Sequence, residues 1–287
     1  MSRWPLGVFS SIDAGFGVQL DVAHKLGVTT IHLHAPNREL RTPQSARELL
    51  QRLGDLGIEI TCVFAGFDGE SYADIPAVKR TVGLVPSETR AARTAELKEI
   101  IDFAASLKVT SVGLHLGFVP HDADDPEYSS LVHLTSDICG YCSRSRQAIH
   151  LETGQEPANV LIRFIGDVNC DNLFVNFDPA NMILYGCGEP LEALKKLGPL
   201  VRSVHCKDAL WSDRPGETWG REVALGEGAV EFARYLELLD QLGYQGPLTI
   251  ERELSQEPKR QQEEVGHAVG LLTKLMSEIT PRGRENQ

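Results

Sequence analysis

The sequence predicts an α/β fold, a single (β/α)8 TIM barrel, and three observations support this prediction. Eight short apolar runs alternate along the 287 residues with segments of helical periodicity. No linker rich in Ser, Gly or Pro and no change in composition divides the chain. The later apolar runs end in residues of types that bind metal ions. A TIM barrel has its active site at the ends of its strands, so this placement fits a barrel.

A doubly wound open sheet is the structural alternative to the barrel. The segment after the first apolar run contains Gly15 and Gly17 but no Gly-rich phosphate loop, which weakens that alternative. We therefore interpret this segment as a flexible loop before the first helix.

Each apolar run has the length and composition of a buried parallel strand. The predicted strands cover residues 6–10, 29–33, 59–64, 111–116, 147–151, 173–177, 201–206 and 248–251. The predicted helices cover residues 19–26, 43–56, 86–107, 157–167, 190–197, 230–242 and 258–279. Many of the helical segments begin near a proline or end at a glycine, as the segment between Thr42 and Gly57 does, which is the usual asymmetry of helix ends.

The remaining segments complete the predicted organisation. Cys139 and Cys142 lie in a further expected helix before the fifth strand, and residues 117–128 are a long loop after the fourth strand and a candidate lid. Residues 1–279 are expected to form the barrel, and residues 280–287 a polar C-terminal tail.

Composition and charge restrict the expected partners. The net charge of −12 argues against nucleic acid, which requires a surplus of Lys and Arg. No apolar run approaches the roughly 18 residues that a membrane span needs, and the N-terminal residues lack the apolar core of a secretory signal. We therefore expect a cytoplasmic location. A homo-oligomer is compatible with the sequence. The six cysteines show no disulfide framework, and the Cys139–Cys142 pair is expected to be two free thiols rather than a redox or zinc site, because no second pair accompanies it.

Four side chains able to bind a divalent metal lie at the ends of the last four strands, namely Glu152, Asp178, His205 and Glu251. Any one of them has a simpler explanation; Asp178, which precedes Pro179, is equally typical of a turn. In a parallel barrel, however, these strand ends converge on one face. Because side chains alternate along a strand, each ligand would also share its inward face with a small or polar residue two positions earlier.

The types of these ligands narrow the choice of metal. Oxygen-rich coordination with one imidazole suits Mn²⁺, Mg²⁺ or Co²⁺, and Zn²⁺ is possible. Glu152 and Glu251 would approach one divalent metal ion from well-separated strands. A substrate bound there would have a carboxylate on each side, which suits proton abstraction beside a carbonyl through an enediolate.

Motifs across nearly the whole chain carry a resemblance to a known family. The most specific are Leu225-Gly226-Glu227-Gly228 and the segment 243–251, joined by Leu151-Glu152-Thr153-Gly154, Phe177-Asp178-Pro179-Ala180-Asn181 and Val204-His205-Cys206-Lys207-Asp208. In these motifs the sequence resembles the xylose-isomerase-like TIM barrels, a family of sugar and sugar-phosphate isomerases and epimerases. The resemblance implies that the same four residues bind the metal and that Glu152 and Glu251 are the catalytic acid/base pair.

The chain departs from the ketohexose epimerases of that family at two positions. They carry a histidine where this chain has Asn181, and an arginine where it has Trp211; Arg214 lies nearby in a different register. These departures predict a substrate other than a plain ketohexose.

Seven residues are candidate substrate contacts: His34, His115, Asn181, Lys207, Asp208, Trp211 and Arg214. The two histidines end the second and fourth strands with inward parity, where each is as typical of a core histidine as of a substrate contact. Lys207 and Asp208 either contact substrate, orient the ring of His205 or form an ion pair at the rim. Trp211 is an apolar wall against a sugar ring or a loop anchor.

The sequence therefore favours a divalent-metal-dependent sugar isomerase or epimerase acting on a small carbohydrate or polyol. Three alternatives remain. A dehydratase of a cyclic polyol ketone would begin with the same proton abstraction, and a catalytically silent barrel would only bind sugar. An apurinic endonuclease would need several metal ions and a basic groove, which the net charge opposes.

Overall fold

The computed structural model describes residues 3–252 and 256–279 of the chain. The barrel strands are β1 Leu6–Ser10, β2 Thr30–His34, β3 Glu59–Ala65, β4 Ser111–Leu114, β5 Ala148–Glu152, β6 Leu173–Phe177, β7 Val201–Cys206 and β10 Leu248–Ile250. These eight parallel strands close into a barrel in the order β1, β10, β7, β6, β5, β4, β3, β2. A separate antiparallel hairpin pairs β8 Asp208–Leu210 with β9 Arg221–Val223.

Helices surround the barrel. They are α1 Leu20–Lys25, α2 Pro43–Leu56, α3 Ile75–Thr81, α4 Ser87–Ser106, α5 Pro126–Ser143, α6 Ala158–Val168, α7 Pro179–Tyr185, α8 Pro190–Leu197, α9 Phe232–Gln241 and α10 Pro258–Glu278. The α2 helix shows how residues at the helix ends allow its bounds to be predicted from the sequence. Thr42 caps its first turn by accepting a hydrogen bond from the Ser45 backbone, and Gly57 ends it in the left-handed region.

The predicted barrel is confirmed, since each of the eight predicted strands overlaps an observed barrel strand. The fourth strand ends two residues earlier than predicted, so His115 lies just beyond β4 rather than within it. The polar tail, residues 280–287, lies outside the described residues.

Three short elements were not predicted: α3, α7 and the β8–β9 hairpin. The α7 helix begins at the Asp178-Pro179 pair, which is also a common turn signal, and the Asp178 side chain caps it by accepting a hydrogen bond from the Asn181 backbone. The hairpin strands have three residues each and pair across a ten-residue loop, so periodicity carries too little signal for them. The candidate lid is shorter than expected, because α5 already begins at Pro126.

The two faces of the barrel strands pack into different environments. Outward residues join the helices in the main hydrophobic cluster, which includes Ile31, Leu33, Leu114, Ile149 and Val175. Inside the barrel, Phe9, Cys62 and Phe64 form a separate small cluster. The rest of the inner face is largely polar, and these polar residues build the candidate site.

Two expectations about the whole chain concern cysteines and membranes. The six cysteines are free, and Cys139 and Cys142 are buried in α5. Among the described residues, no helix combines the length and the apolar character needed to cross a bilayer.

Candidate metal and active site

Four neighbouring barrel strands bring the four predicted ligand residues together. Glu152 is the last residue of β5, Asp178 follows β6, His205 lies in β7, and Glu251 follows β10. One ligand atom from each residue lies within 4.8 Å of those of the other three. We call these four residues the ligand cluster.

The carboxylates of the cluster converge on one imidazole nitrogen. His205 Nδ1 lies 2.5 Å from Glu152 Oε1, 2.7 Å from Glu251 Oε2 and 3.8 Å from Asp178 Oδ2. The side chains of His205 and Asp178 are completely buried, whereas that of Glu251 is 23% exposed and faces the mouth of the barrel. Among the four ligand side chains, that of Glu251 is therefore the most exposed.

Charge is concentrated in this small volume. Burial alone raises the pKa of Glu152, but the attraction of His115 and His205 outweighs burial and holds this pKa below its usual range. For Glu251, Lys207 and His205 likewise outweigh burial and lower the pKa to about 2. Both glutamates are thus held as carboxylates, the form that can accept a proton or bind a cation.

The donor set fits a divalent cation. Asp178 Oδ2 is buried and accepts no hydrogen bond from the described residues, and Glu251 Oε2 is buried close to it. Three carboxylates and one imidazole are ligands that Mg²⁺, Mn²⁺ or Co²⁺ accept, and a cation among them would offset the mutual repulsion of the carboxylates. The cluster can therefore hold a metal ion, whose identity the side chains leave open.

A polar layer below the cluster fixes its orientation. His205 Nε2 lies 3.0 Å from His32 Nδ1, and burial together with His205 lowers the pKa of His32, which keeps it neutral. Neutral His32 can accept the Nε2 proton of His205 and leave Nδ1 free for the cluster, an arrangement typical of metal-binding histidines. Asn176 Nδ2 approaches both Glu152 Oε1, at 3.4 Å, and His205 Nδ1, at 3.2 Å.

Lys207 and Asn181, two of the candidate substrate contacts, lie beside the cluster. Lys207 Nζ lies 3.4 Å from Glu251 Oε1 and 3.9 Å from Asp178 Oδ2, and it donates to Asn181 Oδ1 at 3.3 Å. Burial lowers the pKa of Lys207, but Glu251 and Asp178 outweigh burial and raise it well above its usual value. Lys207 is a buried ammonium that holds Glu251 in place.

The two strand-end histidines have different surroundings. His115 Nε2 lies 2.8 Å from Glu152 Oε2, so His115 belongs to the site. His34 lies farther round the mouth, edge-on to Phe16 with ring centroids 4.7 Å apart, and burial lowers its pKa to about 4. The structure therefore gives His34 a neutral ring in an aromatic part of the mouth.

Three predicted substrate contacts lie in other environments. Both oxygens of the Asp208 carboxylate accept backbone N–H groups, from Ala209, Gly226, Gly228 and Val230, so this side chain holds the 226–230 loop. Arg214 is 68% exposed and pairs with Glu217 in the loop of the hairpin. Trp211 is partly buried and packs against the main hydrophobic cluster, which favours the loop-anchor alternative. These three residues follow His205 closely in the sequence, but they belong to the β8–β9 hairpin and its loop, which contact other parts of the chain.

Several residues that line or support the site were not predicted from the sequence. Gln155 contacts His115, and Glu156 accepts a hydrogen bond from the Val119 backbone at 2.8 Å. Burial raises the pKa of Glu156 to about 8. The sequence carries a signal for them, because Gln155 and Glu156 belong to a polar and glycine-containing stretch directly after the fifth predicted strand.

The chain is similar to one described protein family over most of its length. The family model for the xylose isomerase-like TIM barrel matches residues 20–275. A solved xylose isomerase domain protein from Planctomyces limnophilus is 53% identical, with a TM-score of 0.94, and the alignment covers 96% of this chain and 99% of that one. No curated protein matches the sequence.

More distant solved structures share the fold. A D-tagatose 3-epimerase-like protein is 18% identical with a TM-score of 0.70, over 96% of this chain and 99% of that one. A xylose isomerase-like TIM barrel protein from Mycobacterium smegmatis, solved in complex with magnesium, is 19% identical with a TM-score of 0.68, over 95% and 98% of the two chains.

Proposed function

The chain belongs to the xylose isomerase-like TIM barrel family, and from this premise we propose that it is a carbohydrate isomerase or epimerase that depends on a divalent metal ion. The observation that carries the proposal is the ligand cluster, whose four ligand atoms lie within 4.8 Å of one another at the ends of four barrel strands. A barrel that only bound sugar would have no need to bury three carboxylates together, because burial of like charges is costly.

Glu152 and Glu251 are the proposed proton carriers. Their strands, β5 and β10, are separated by two other strands in the barrel, so the two carboxylates approach the cluster from different sides. One glutamate removes a carbon-bound proton beside the substrate carbonyl, and the other returns a proton to the opposite face or to the neighbouring carbon. A divalent cation held by the cluster would polarise that carbonyl and make the proton more acidic.

Lys207 and His115 hold the two carriers. Lys207 is within ion-pair distance of Glu251 Oε1, and His115 lies against Glu152 Oε2. The charges of the three carboxylates, of Lys207 and of a divalent cation would sum to zero. A neutral carbohydrate or polyol therefore suits this site, whereas a phosphate close to the cluster would be repelled by the carboxylates.

The test is solvent-deuterium incorporation into a panel of ketoses and inososes by the purified, Mg²⁺- or Mn²⁺-loaded protein. The proposal requires exchange at the carbon beside the carbonyl, with an epimer or an aldose as product. Exchange accompanied by loss of water would instead indicate the dehydratase. No exchange with any compound, from a protein that binds the metal, would favour the silent barrel.

Substitution of the carriers sharpens this test. Glu152→Gln and Glu251→Gln keep the size and polarity of the side chain but remove the base, so each should lower turnover by roughly 10²-fold or more. Glu227→Gln, in the loop between β9 and α9, is the matched control and should leave turnover unchanged. Near-normal turnover in either of the first two variants would show that this glutamate is not a proton carrier and is at most a replaceable metal ligand.

The substrate differs, we propose, from an ordinary ketohexose. Asn181 cannot exchange a proton as the histidine at this position of the ketohexose epimerases can, and its amide oxygen is engaged by Lys207. We expect kcat/KM for D-fructose, D-tagatose and D-psicose to stay below roughly 10⁴ M⁻¹s⁻¹, with a modified sugar or polyol-derived ketone preferred. A higher value for any of the three would contradict this.

A further inference from the structure

Tyr72 lies in the connection between β3 and α3 and keeps much of its ring in solvent. Among the described residues the exposed large hydrophobic side chains are Phe16, Leu40, Tyr72 and Leu242. Tyr72, which is 41% exposed, is the only one of these four that also carries a polar group. An aromatic ring with a hydroxyl suits a binding surface, because its body is apolar and its tip can form a hydrogen bond.

The backbone around Tyr72 is fixed by side chains of neighbouring segments. The Glu70 carboxylate accepts a hydrogen bond from the Gly83 backbone N–H at 2.7 Å. The Ser71 backbone N–H donates to the Thr81 hydroxyl at 2.9 Å. These bonds hold the two residues before Tyr72 against the end of α3.

Arg93, which is buried in α4, supports the same connection. Its guanidinium donates to the Asp68 carbonyl oxygen at 3.2 Å and to the Gly83 carbonyl oxygen at 2.8 Å. A buried cation that is satisfied by carbonyl oxygens fixes the segments that carry them. The exposed ring of Tyr72 therefore stands on a well-supported backbone.

The ring lies at the mouth of the barrel, on the Glu152 side of the ligand cluster. Its centroid is 5.8 Å from that of the His115 ring, and His115 Nε2 is 2.8 Å from Glu152 Oε2. Burial, followed by acidic groups that include Glu152 and Glu251, raises the pKa of Tyr72 well above its usual value. A side chain that is partly exposed and still affected by burial lies in a concave part of the surface. Tyr72 thus faces the space above the cluster.

The hydroxyl of Tyr72 differs from those of most other tyrosines in the chain. Four of the six tyrosines use the hydroxyl in hydrogen bonds within the protein, namely Tyr128, Tyr141, Tyr185 and Tyr244. The Tyr72 hydroxyl has no partner among the described residues. It is therefore available to a ligand in the mouth.

We propose that Tyr72 is a specificity-determining residue that binds the end of the carbohydrate or polyol remote from the reacting carbonyl. The carbonyl end lies at the ligand cluster, so a substrate several carbons long extends from it past His115 to Tyr72. The Tyr72 hydroxyl bonds a substrate hydroxyl, and the ring packs against the C–H groups beside it. The kinetic consequence rests on the proposed function; the contact does not, because a barrel that only bound sugar would also make it.

The contact is measured by ¹⁹F spectra of Mg²⁺-loaded protein labelled with 3-fluorotyrosine. The signals of Tyr72 and Tyr141 are those that disappear in Tyr72→Phe and Tyr141→Phe. Titration with xylitol, myo-inositol and D-fructose should shift the Tyr72 signal for at least one of the three. The Tyr141 signal should stay in place, since Tyr141 lies on α5 with its hydroxyl bonded to Asp102. A Tyr72 signal that none of the three compounds moves would overturn the proposal.

Kinetics separate a substrate contact from a structural role. For any compound that exchanges its proton, Tyr72→Phe should raise KM roughly 3- to 10-fold, the scale of one neutral hydrogen bond, with kcat within about two-fold. Tyr141→Phe should change neither. The urea midpoint and the Mg²⁺ affinity of Tyr72→Phe should equal those of the unsubstituted protein, because the hydroxyl has no partner in the described protein.

The outcomes distinguish this proposal from the proposed function. An unchanged KM in Tyr72→Phe, or a raised KM accompanied by weaker Mg²⁺ binding, would overturn the role of Tyr72. A shifted Tyr72 signal in a protein that exchanges no substrate proton would reject the proposed function and leave the contact standing. Proton exchange without a shift of the Tyr72 signal would do the reverse.

Discussion

The outward and inward faces of the barrel strands carry opposite chemistry, although they alternate residue by residue. On β2, Ile31 and Leu33 face the helices and are fully buried in the main hydrophobic cluster. His32 lies between them and faces His205 across the barrel. The outward face contributes free energy of folding through apolar burial, whereas the inward face uses buried polar groups that favour folding only when each has a partner. Stability and function are thus separated by the pleat of the strand.

Truncation on the outward face should have the largest effect. Leu33 is fully buried, so Leu33→Ala should lower the free energy of unfolding by about 2–5 kcal/mol through lost burial and the cavity that remains. Leu40, which is 38% exposed, provides the matched control, and Leu40→Ala should cost well under 1 kcal/mol. Urea unfolding measures both. An equal loss of unfolding free energy in the two variants would contradict the idea that burial on the outward face stabilises the fold.

A buried carboxyl at the mouth should give a smaller, pH-dependent effect. Burial raises the pKa of Glu156 to about 8, from 4.5 in the unfolded chain. The folded protein therefore keeps a proton that the unfolded chain releases, and this contribution to stability is complete below pH 4.5 and is lost as the pH rises to 8. Relative to Glu156→Gln, the unsubstituted protein should lose roughly 2 kcal/mol between pH 5 and pH 8. A pKa shift corresponds to about 1.36 kcal/mol of stability per unit, which gives the upper bound for this loss. We expect a smaller loss because the structure around an ionised Glu156 can relax.

Urea unfolding of both proteins at several pH values between 5 and 8 tests this. Glutamine keeps an oxygen that can accept the Val119 N–H, so the variant preserves the hydrogen bond and removes only the titration. Parallel pH profiles for the two proteins would show that Glu156 is ionised in the folded state.

Substitution of an inward ligand should leave the fold intact and weaken metal binding. Asp178→Asn can still cap α7, because asparagine is as good a cap as aspartate, but it removes one carboxylate from the cluster. We expect Asp178→Asn and His205→Ala to weaken Mg²⁺ or Mn²⁺ binding on the order of 10-fold or more, about 1.4 kcal/mol. Metal-free Asp178→Asn should be no less stable than the unsubstituted protein, because like charges are no longer buried together.

Titration calorimetry provides the affinity. Asp208→Asn is the matched control, since the Asp208 carboxylate binds backbone N–H groups outside the cluster, and its affinity for the metal should change by less than about two-fold. An unchanged dissociation constant in both Asp178→Asn and His205→Ala would remove the metal assignment.

The outward face explains why the fold was predictable from the sequence. Apolar residues such as Ile31 and Leu33, or Ile149 and Leu151, recur with a period of two within five residues. Each strand can therefore be predicted from its own local sequence. The ligand residues were predictable for a related reason. Each one ends such a run, and parallel strand ends of a barrel meet on one face.

The contacts of the inward face were decided by the tertiary structure alone. His32 and His205 are 173 residues apart in the chain, and Gln155 and His115 are 40 apart. No local pattern relates such pairs, because closure of the barrel brings them together. For the same reason, proximity along the chain was a poor guide for Asp208 and Arg214, which follow His205 closely. Side-chain type and period are local and determine the barrel and its ligands, whereas hydrogen-bond partners depend on distances that exist only after the barrel has closed.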